Sequence, residues 1–327
     1  MRRTEHSGER GAELDAAFAY CAGIVRRRAR NFYYGLRLTP EPKRSALYAV
    51  YAWMRRADDA VDQPGTSAER RERLQRWRDR TERIFTGLRD VPDAGSDPVL
   101  VAFAATVRGF RLDPGELREM LGALMLDLDL DLDLDLDHEP GGIDAPAPMF
   151  RTREELASYC HGVASVVGVI CARIWGIRNP GQWPTALEAA SKRGLAFQLT
   201  NILRDAGRDY DEGRVYIAQE DFDAAGVSPK ELRAWSRPDR CEVLVRRVGS
   251  WAEECFDASA PLDGLIHRDG AAALWTMTRI YRTLLRRITA RPRSIVDDRR
   301  IRLASFTKAT IAVRGMLRSR SAAGSPS

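Results

Sequence analysis

The 327-residue sequence predicts an all-α protein, a single helical bundle. Three observations carry that prediction. Apolar residues recur at three- and four-residue spacing through most of the chain, strand-like alternation is nearly absent, and clusters of Pro, Gly and Asp punctuate the apolar runs. At 44% hydrophobic residues the chain can bury a sizeable core, and no break is long and polar enough to force a second domain.

In order, residues 1–11 read as a charged tail, and helices are expected at 12–30 and 41–61, the second stopped by Gln63-Pro64-Gly65. A helix at 67–88 interleaves Arg with Glu and Asp as a solvated face and ends before 91–97. Helices follow at 98–110 and 114–126. The Leu-Asp repeat within 126–150 is expected as a low-complexity acidic insertion loop, because Asp is a poor strand residue and no partner strand is evident. Beyond it come helices at 152–175, 185–209, 240–258, 271–288 and 299–317, separated by Asn179-Pro180-Gly181 and by 226–229, with 318–327 as a flexible tail.

The longest mostly apolar stretch, 163–171, is far shorter than the ~20 residues of a membrane span. No apolar segment follows the charged N-terminus as a signal peptide would require, so a cytoplasmic protein is expected, peripheral at most to the inner face of a membrane. Five cysteines without a C-x-x-C pair read as reduced small hydrophobes, and four dispersed histidines suggest neither a metal site nor a triad. The net charge of +6 is carried almost wholly by Arg, whose planar fork suits phosphate oxygens.

Chemistry concentrates in two segments. Asp58 and Asp62, with Asp59 beside them, and Asp205 and Asp209 each stand at i, i+4, which on a helix stacks the carboxylates on one face. Spacing alone arises by chance, but Tyr51 and Arg55 lie on the same stripe as the first pair. Gln198, Asn201, Asp205 and Asp209 make a polar stripe on an otherwise apolar helix. Amides and carboxylates turned inward need a ligand to satisfy them. Oxygen donors without His or Cys select hard cations, and Mg²⁺ joins carboxylates to substrate phosphates. Two such helices facing each other among Arg30, Arg55, Arg204 and Arg214 would clamp a diphosphate, and Phe32, Tyr33, Tyr51, Tyr159, Phe197, Tyr216 and Tyr281 are candidates for aromatic walls. An apolar pocket ending in such a site suits a prenyl diphosphate.

The strings Phe32-Tyr33-Tyr34, Tyr51-Ala52-Trp53-Met54-Arg55-Arg56-Ala57-Asp58-Asp59-Ala60-Val61-Asp62, Tyr159-Cys160 with Val163-Ala164-Ser165-Val166-Val167-Gly168, Gln198-Leu199-Thr200-Asn201-Ile202-Leu203-Arg204-Asp205 and Gly213-Arg214-Val215-Tyr216 resemble the squalene/phytoene synthase family over 17–308. The wording is closest to bacterial presqualene diphosphate synthases. The resemblance implies the isoprenoid synthase fold and Mg²⁺-dependent head-to-head joining of two identical prenyl diphosphates through a cyclopropyl intermediate. Carried over by position, Asp58, Asp62, Asn201, Asp205 and Asp209 would form the metal shell. Tyr51, Arg55, Asp59, Tyr159, Tyr216 and Tyr281 would be catalytic. Arg30, Phe32, Arg55, Val163, Ala164, Val167, Gly168, Gln198, Asn201, Arg204, Arg214 and one of Arg299 or Arg300 would bind substrate.

Two departures from the family pattern bear on the site. Arg208 stands where the second acidic motif usually has Glu, and Ala29 and Asn31 replace serines that commonly precede the first aromatic. The 159–168 wording favours two farnesyl diphosphates giving presqualene diphosphate or squalene; two geranylgeranyl diphosphates giving phytoene are the alternative. NADPH would be needed only for squalene itself. A terpene cyclase or chain-elongating synthase fits the second motif poorly. A nucleic-acid partner is not expected, since no recognition-helix motif is present.

Overall fold

The computed structural model describes residues 2–86, 97–136, 146–299 and 301–323, and the side chains of these except 2–10, 30, 126–136 and 319–323. Fifteen α-helices are found among the described residues. They run α1 (Arg2–Arg28), α2 (Arg30–Leu36), α3 (Lys43–Asp62), α4 (Ser67–Phe85), α5 (Pro98–Phe110), α6 (Pro114–Leu136), α7 (Arg153–Cys160), α8 (Val166–Trp175), α9 (Trp183–Asp211), α10 (Gln219–Ala225), α11 (Pro229–Ala234), α12 (Pro238–Ala258), α13 (Leu262–Leu265), α14 (Arg268–Ala290) and α15 (Ser305–Ala323). A π-turn, His161–Ser165, joins α7 to α8. The only extended pairings among the described residues are two single bridges, Pro148 with Val215 and Ile177 with Ile266.

Helix starts follow local chemistry. Reciprocal capping boxes open α4 (Thr66 with Glu69) and α7 (Thr152 with Glu155), and Asp97 caps α5 with Pro98 at its first position. The helix-rich reading holds, with corrections. The repeat expected as a loop is helical through Leu136, and the expected tails are helical from Arg2 and out to Ala323. Leu has high helix propensity, so alternating Leu and Asp need not break a helix already begun at Pro114. Residues 137–145 lie outside the described residues. The helix expected at 152–175 is interrupted by the π-turn. The stretch 153–175 is apolar and long enough to cross a membrane by composition, and half of its most apolar window is buried inside the bundle.

Core packing fixes α3. The Trp53 ring stacks on Phe103 of α5 at 4.4 Å, and its Nε1 donates to Thr81 Oγ1 of α4 at 3.0 Å. On the other side of the bundle α8 and α9 touch backbone to backbone. A Cβ on Gly168 would lie 2.6 Å from the Ala190 carbonyl oxygen, and one on Gly194 would lie 2.6 Å from that of Ala164. Of the five free cysteines, Cys21, Cys160, Cys241 and Cys255 are buried, and burial raises the pKa of each of these thiols.

Candidate active site

Contacts between the helices order them around one cavity. Lys43, at the start of α3, donates to the Trp175 carbonyl at the end of α8 at 2.7 Å, so the aspartates of α3 lie at the opposite end. The glycine contacts pair 168 with 190 and 164 with 194, so α9 runs antiparallel to α8 and carries Asn201, Asp205 and Asp209 away from Trp175. Both acidic motifs therefore leave the same end of the bundle.

Between them lies a cavity of about 170 Å³, walled by Tyr51 and Met54 of α3, Val163, Ala164, Val167, Gly168 and Cys171 beside them, and Gly194, Phe197, Gln198 and Asn201 of α9. Phe32 and Leu36 of α2 and Leu274 and Met277 of α14 complete it. Trp175 lies at the far end and is 2% exposed. Its Nε1 donates to Thr39 Oγ1 at 3.1 Å, and its ring packs where any side chain larger than that of Gly270 would collide. Lys43 and Asp269, paired at 2.8 Å, brace the same corner.

On α3 a single guanidinium gathers three carboxylates. Arg55 lies 2.5 Å from Asp59, 3.3 Å from Asp62 and 3.8 Å from Asp58. These side chains are partly open to solvent, Asp62 most of all. Burial pushes the Tyr51 phenol up to about 12; Arg55 opposes the shift, and Asp58 and Tyr281 add to it.

On α9 the setting is drier. Arg204 grips Asp205 through Nε at 2.9 Å and a terminal nitrogen at 2.5 Å, and both side chains are about nine-tenths buried. Burial works against the charge of Arg204, yet its hydrogen bond to Asp205 holds the pKa above the ordinary value. Arg208 reaches Asp209 at 3.1 Å while lying over half exposed. Burial, then the neighbouring Asp205 charge, raises Asp209 to about 6 against the pull of Arg208. Tyr281 weakly influences the titration of both Tyr51 and Arg204. After α9, Gly213 takes φ +84° and turns the chain so that the Arg214 amide donates to the Asp209 carbonyl at 2.7 Å.

Asn201 Oδ1 is buried with no hydrogen-bond partner, while its amide nitrogen donates to Gln198 Oε1 at 3.3 Å. An orphan oxygen one turn from Asp205 and two turns from Asp209, both largely buried carboxylates, matches a hard cation. Among the described residues no three acidic, His or Cys side chains already converge as a metal cage. The arginines hold the carboxylates instead.

The other expected site residues sort into three groups. Phe32, Phe197 and Tyr281 form one aromatic cluster, with Phe197 stacked on Tyr281 at 4.3 Å and Phe32 at 5.7 Å from Tyr281. Tyr159 and Tyr216 stack together at 5.7 Å beside Phe150, and Tyr216 lines a separate small cleft with Asp209 and Arg214. Tyr33 packs edge-on to Tyr34. Arg299 is exposed in a bend; the Arg30 side chain and Arg300 lie outside the described residues. Sequence reasoning missed Trp175, Thr39 and Arg193. Arg193 is buried and bonds Ser259, Asp263 and Thr278, pinning α9 to its neighbours. The available signal was the pair Gly168 and Gly194, which marks a helix contact without Cβ atoms.

A family model described as squalene/phytoene synthase matches residues 25–307. The chain belongs to the squalene/phytoene synthase family. It is a prenyltransferase of the isoprenoid synthase fold, from a family that condenses prenyl diphosphates head to head and depends on divalent metal. It is 33% identical to a phytoene synthase of Mycobacterium tuberculosis, over 93% of this chain and 92% of that one. It is 30% identical to a 15-cis-phytoene synthase of Synechocystis, over 88% and 81%. Among solved structures, a dehydrosqualene synthase with bound ligand superposes with TM-score 0.76 at 27% identity, covering 95% of this chain and 99% of that one. A squalene synthase from Alicyclobacillus acidocaldarius shares the fold, with TM-score 0.71 and 22% identity over 85% and 95%.

Proposed function

We propose that this family member joins two farnesyl diphosphates into presqualene diphosphate, and that the length of its cavity selects the fifteen-carbon chain. From Asn201 to Ala190 the α9 wall covers eleven residues, about 16 Å at 1.5 Å each, before Trp175 closes the end. With twelve carbons in line and bonds of about 1.5 Å, an extended farnesyl chain measures about 14 Å, and a geranylgeranyl chain about 19 Å. The shorter chain fits with its diphosphate at the arginines; the longer one meets the Trp175 indole.

In this reading Arg55 exchanges its carboxylate partners for diphosphate oxygens, which a charge-assisted fork accepts readily, while Arg204 keeps Asp205 and offers its remaining N–H groups to the diphosphate. Asp58, Asp62, Asn201, Asp205 and Asp209 would hold Mg²⁺, which when bound supplies the positive charge that makes diphosphate a good leaving group. The C1–O bond of one substrate breaks and diphosphate departs. The double bond of the second substrate attacks the allylic carbon, and loss of a proton closes the cyclopropane. Phe32, Phe197 and Tyr51 line the cavity, where their rings would steady the allylic cation and keep water away. Tyr281, stacked on Phe197 and close to Phe32, would hold those two rings in place.

The test incubates purified protein with each diphosphate singly and in competition, with and without Mg²⁺ and NADPH, and identifies the lipid products. Farnesyl-derived product should dominate and should vanish without divalent metal. The second reading, two geranylgeranyl diphosphates to phytoene, is favoured by the names of the relatives at 30–33% identity. A dominant forty-carbon product in competition would replace the first reading with it.

A further inference from the structure

One side of α4 departs from the solvated face that its alternating charges suggest. Arg71 and Arg78 are exposed, but Arg73 and Arg80 are half-buried and, with Trp77 between them, follow one another at i, i+4 and i+7 on a single face. With Arg76, and with Arg56 of α3, they line a cleft of about 500 Å³ between the two helices. Two carboxylates reach the same cleft, and both are engaged. Asp59 lies 2.5 Å from Arg55, and Asp97 caps α5 and lies 3.6 Å from Arg80.

The cleft is rich in donors. Arg56 gives one nitrogen to the Tyr20 hydroxyl at 3.0 Å, and Arg73 gives two to the Ala60 and Gln63 carbonyls at 3.0 and 2.9 Å, so those bonds leave both charges in place. Arg76 pairs with exposed Glu72 at 2.5 Å, a surface contact that is exchanged at little cost. Arg56 Nε and Trp77 Nε1 are buried with no hydrogen-bond partner, and Trp77 as a whole is 7% exposed. Buried donors without an acceptor are costly, and guanidinium forks match phosphate oxygens. Such a cleft fits a compact, multiply charged anion.

Position identifies the anion. Asp59 lines the cleft and also binds Arg55, the guanidinium that meets the substrate diphosphate, so the cleft begins one side chain from where the leaving group is freed. The geometry points to a metal-independent site for inorganic diphosphate in this cleft, outside the prenyl cavity, through which the released product inhibits the enzyme. An anion held there sets negative charge beside Asp58, Asp59 and Asp62 and opposes entry of the next substrate diphosphate. The inhibitory role rests on the proposed placement of the reaction at Arg55. The binding does not, and it is read without prenyl substrate or metal, so its failure is distinct from a failure of the proposed substrate.

The experiment titrates full-length protein with inorganic diphosphate in EDTA, and in parallel with inorganic phosphate. Diphosphate should bind at least about tenfold more tightly than phosphate. The double variant Arg76→Gln, Arg80→Gln should lose about tenfold in diphosphate affinity while keeping its circular dichroism. The control Arg71→Gln, Arg78→Gln, which removes the same charge from the solvated face, should lose no more than about twofold. Arg76→Gln alone, at an exposed position, should lose about threefold, which keeps the test should the pair disturb folding. In turnover assays with pyrophosphatase present the cleft variant should match the parent, and without it inhibition by added diphosphate should weaken several-fold. Equal losses in the cleft and control variants overturn the inference, since they assign binding to general surface charge. So do equal affinities for phosphate and diphosphate, or inhibition that the cleft variant leaves unchanged.

Discussion

The acidic ends of α3 and α9 have the same i, i+4 spacing and opposite surroundings. On α3 one half-exposed arginine is shared among Asp58, Asp59 and Asp62. On α9 a buried arginine and a buried aspartate close on each other, and a second aspartate is left to be balanced by the exposed Arg208. A shared guanidinium near water can release any one carboxylate at little cost. A desolvated pair cannot be parted so cheaply, because each partner stands in for the water the other has lost. The α3 end is therefore suited to picking up and handing off ligands, and the α9 end to holding a fixed reference.

The strongest way to break that contrast is Asp205→Ala. It should cut turnover by about 10³-fold and also lower stability by about 3–5 kcal/mol, because Arg204 is left charged and buried. Urea unfolding beside product assay reads both; unchanged stability would contradict a fixed, dry pair. Asp58→Ala should cost turnover by about 10²-fold with stability held within about 1 kcal/mol, as for a partly exposed ion pair. Equal destabilisation by the two variants would erase the distinction.

Smaller effects sharpen it. Trp175→Leu opens the end of the cavity remote from both arginines, so it should raise the geranylgeranyl to farnesyl ratio of kcat/KM by about tenfold without changing the metal requirement. Arg208→Glu replaces the exposed cation beside Asp209 with a further oxygen donor. The divalent-ion concentration for half-maximal turnover should fall a few-fold. A rise would mean that Arg208 serves the diphosphate directly.

Most of the helices were legible because burial writes a three- and four-residue period into the sequence, and the two acidic motifs were legible because polar stripes interrupt that period. The floor of the cavity was not. Trp175, Thr39 and Gly270 meet only after folding, and nothing local marks their partnership. The π-turn at His161–Ser165 was equally silent, since one added residue per turn leaves composition unchanged. The Leu-Asp repeat misled in the other direction: its period of two resembles neither an amphipathic helix nor a good strand, and helix propensity decided the outcome through Leu136. Arg208 could be read as a departure from the family pattern, but only its contact with Asp209 shows what it balances.

The glycine contact between α8 and α9 leaves no slack. With carbonyl oxygens 2.6 Å from where side-chain carbons would begin, those two helices behave as one stiff plate. Any widening of the bore, by engineering or by a bulky guest, must be absorbed across from it, by α3 and by the methionine and leucine of α14. Catalogues of variants with altered product size should therefore be lopsided, crowded on the yielding side and nearly blank along the seam.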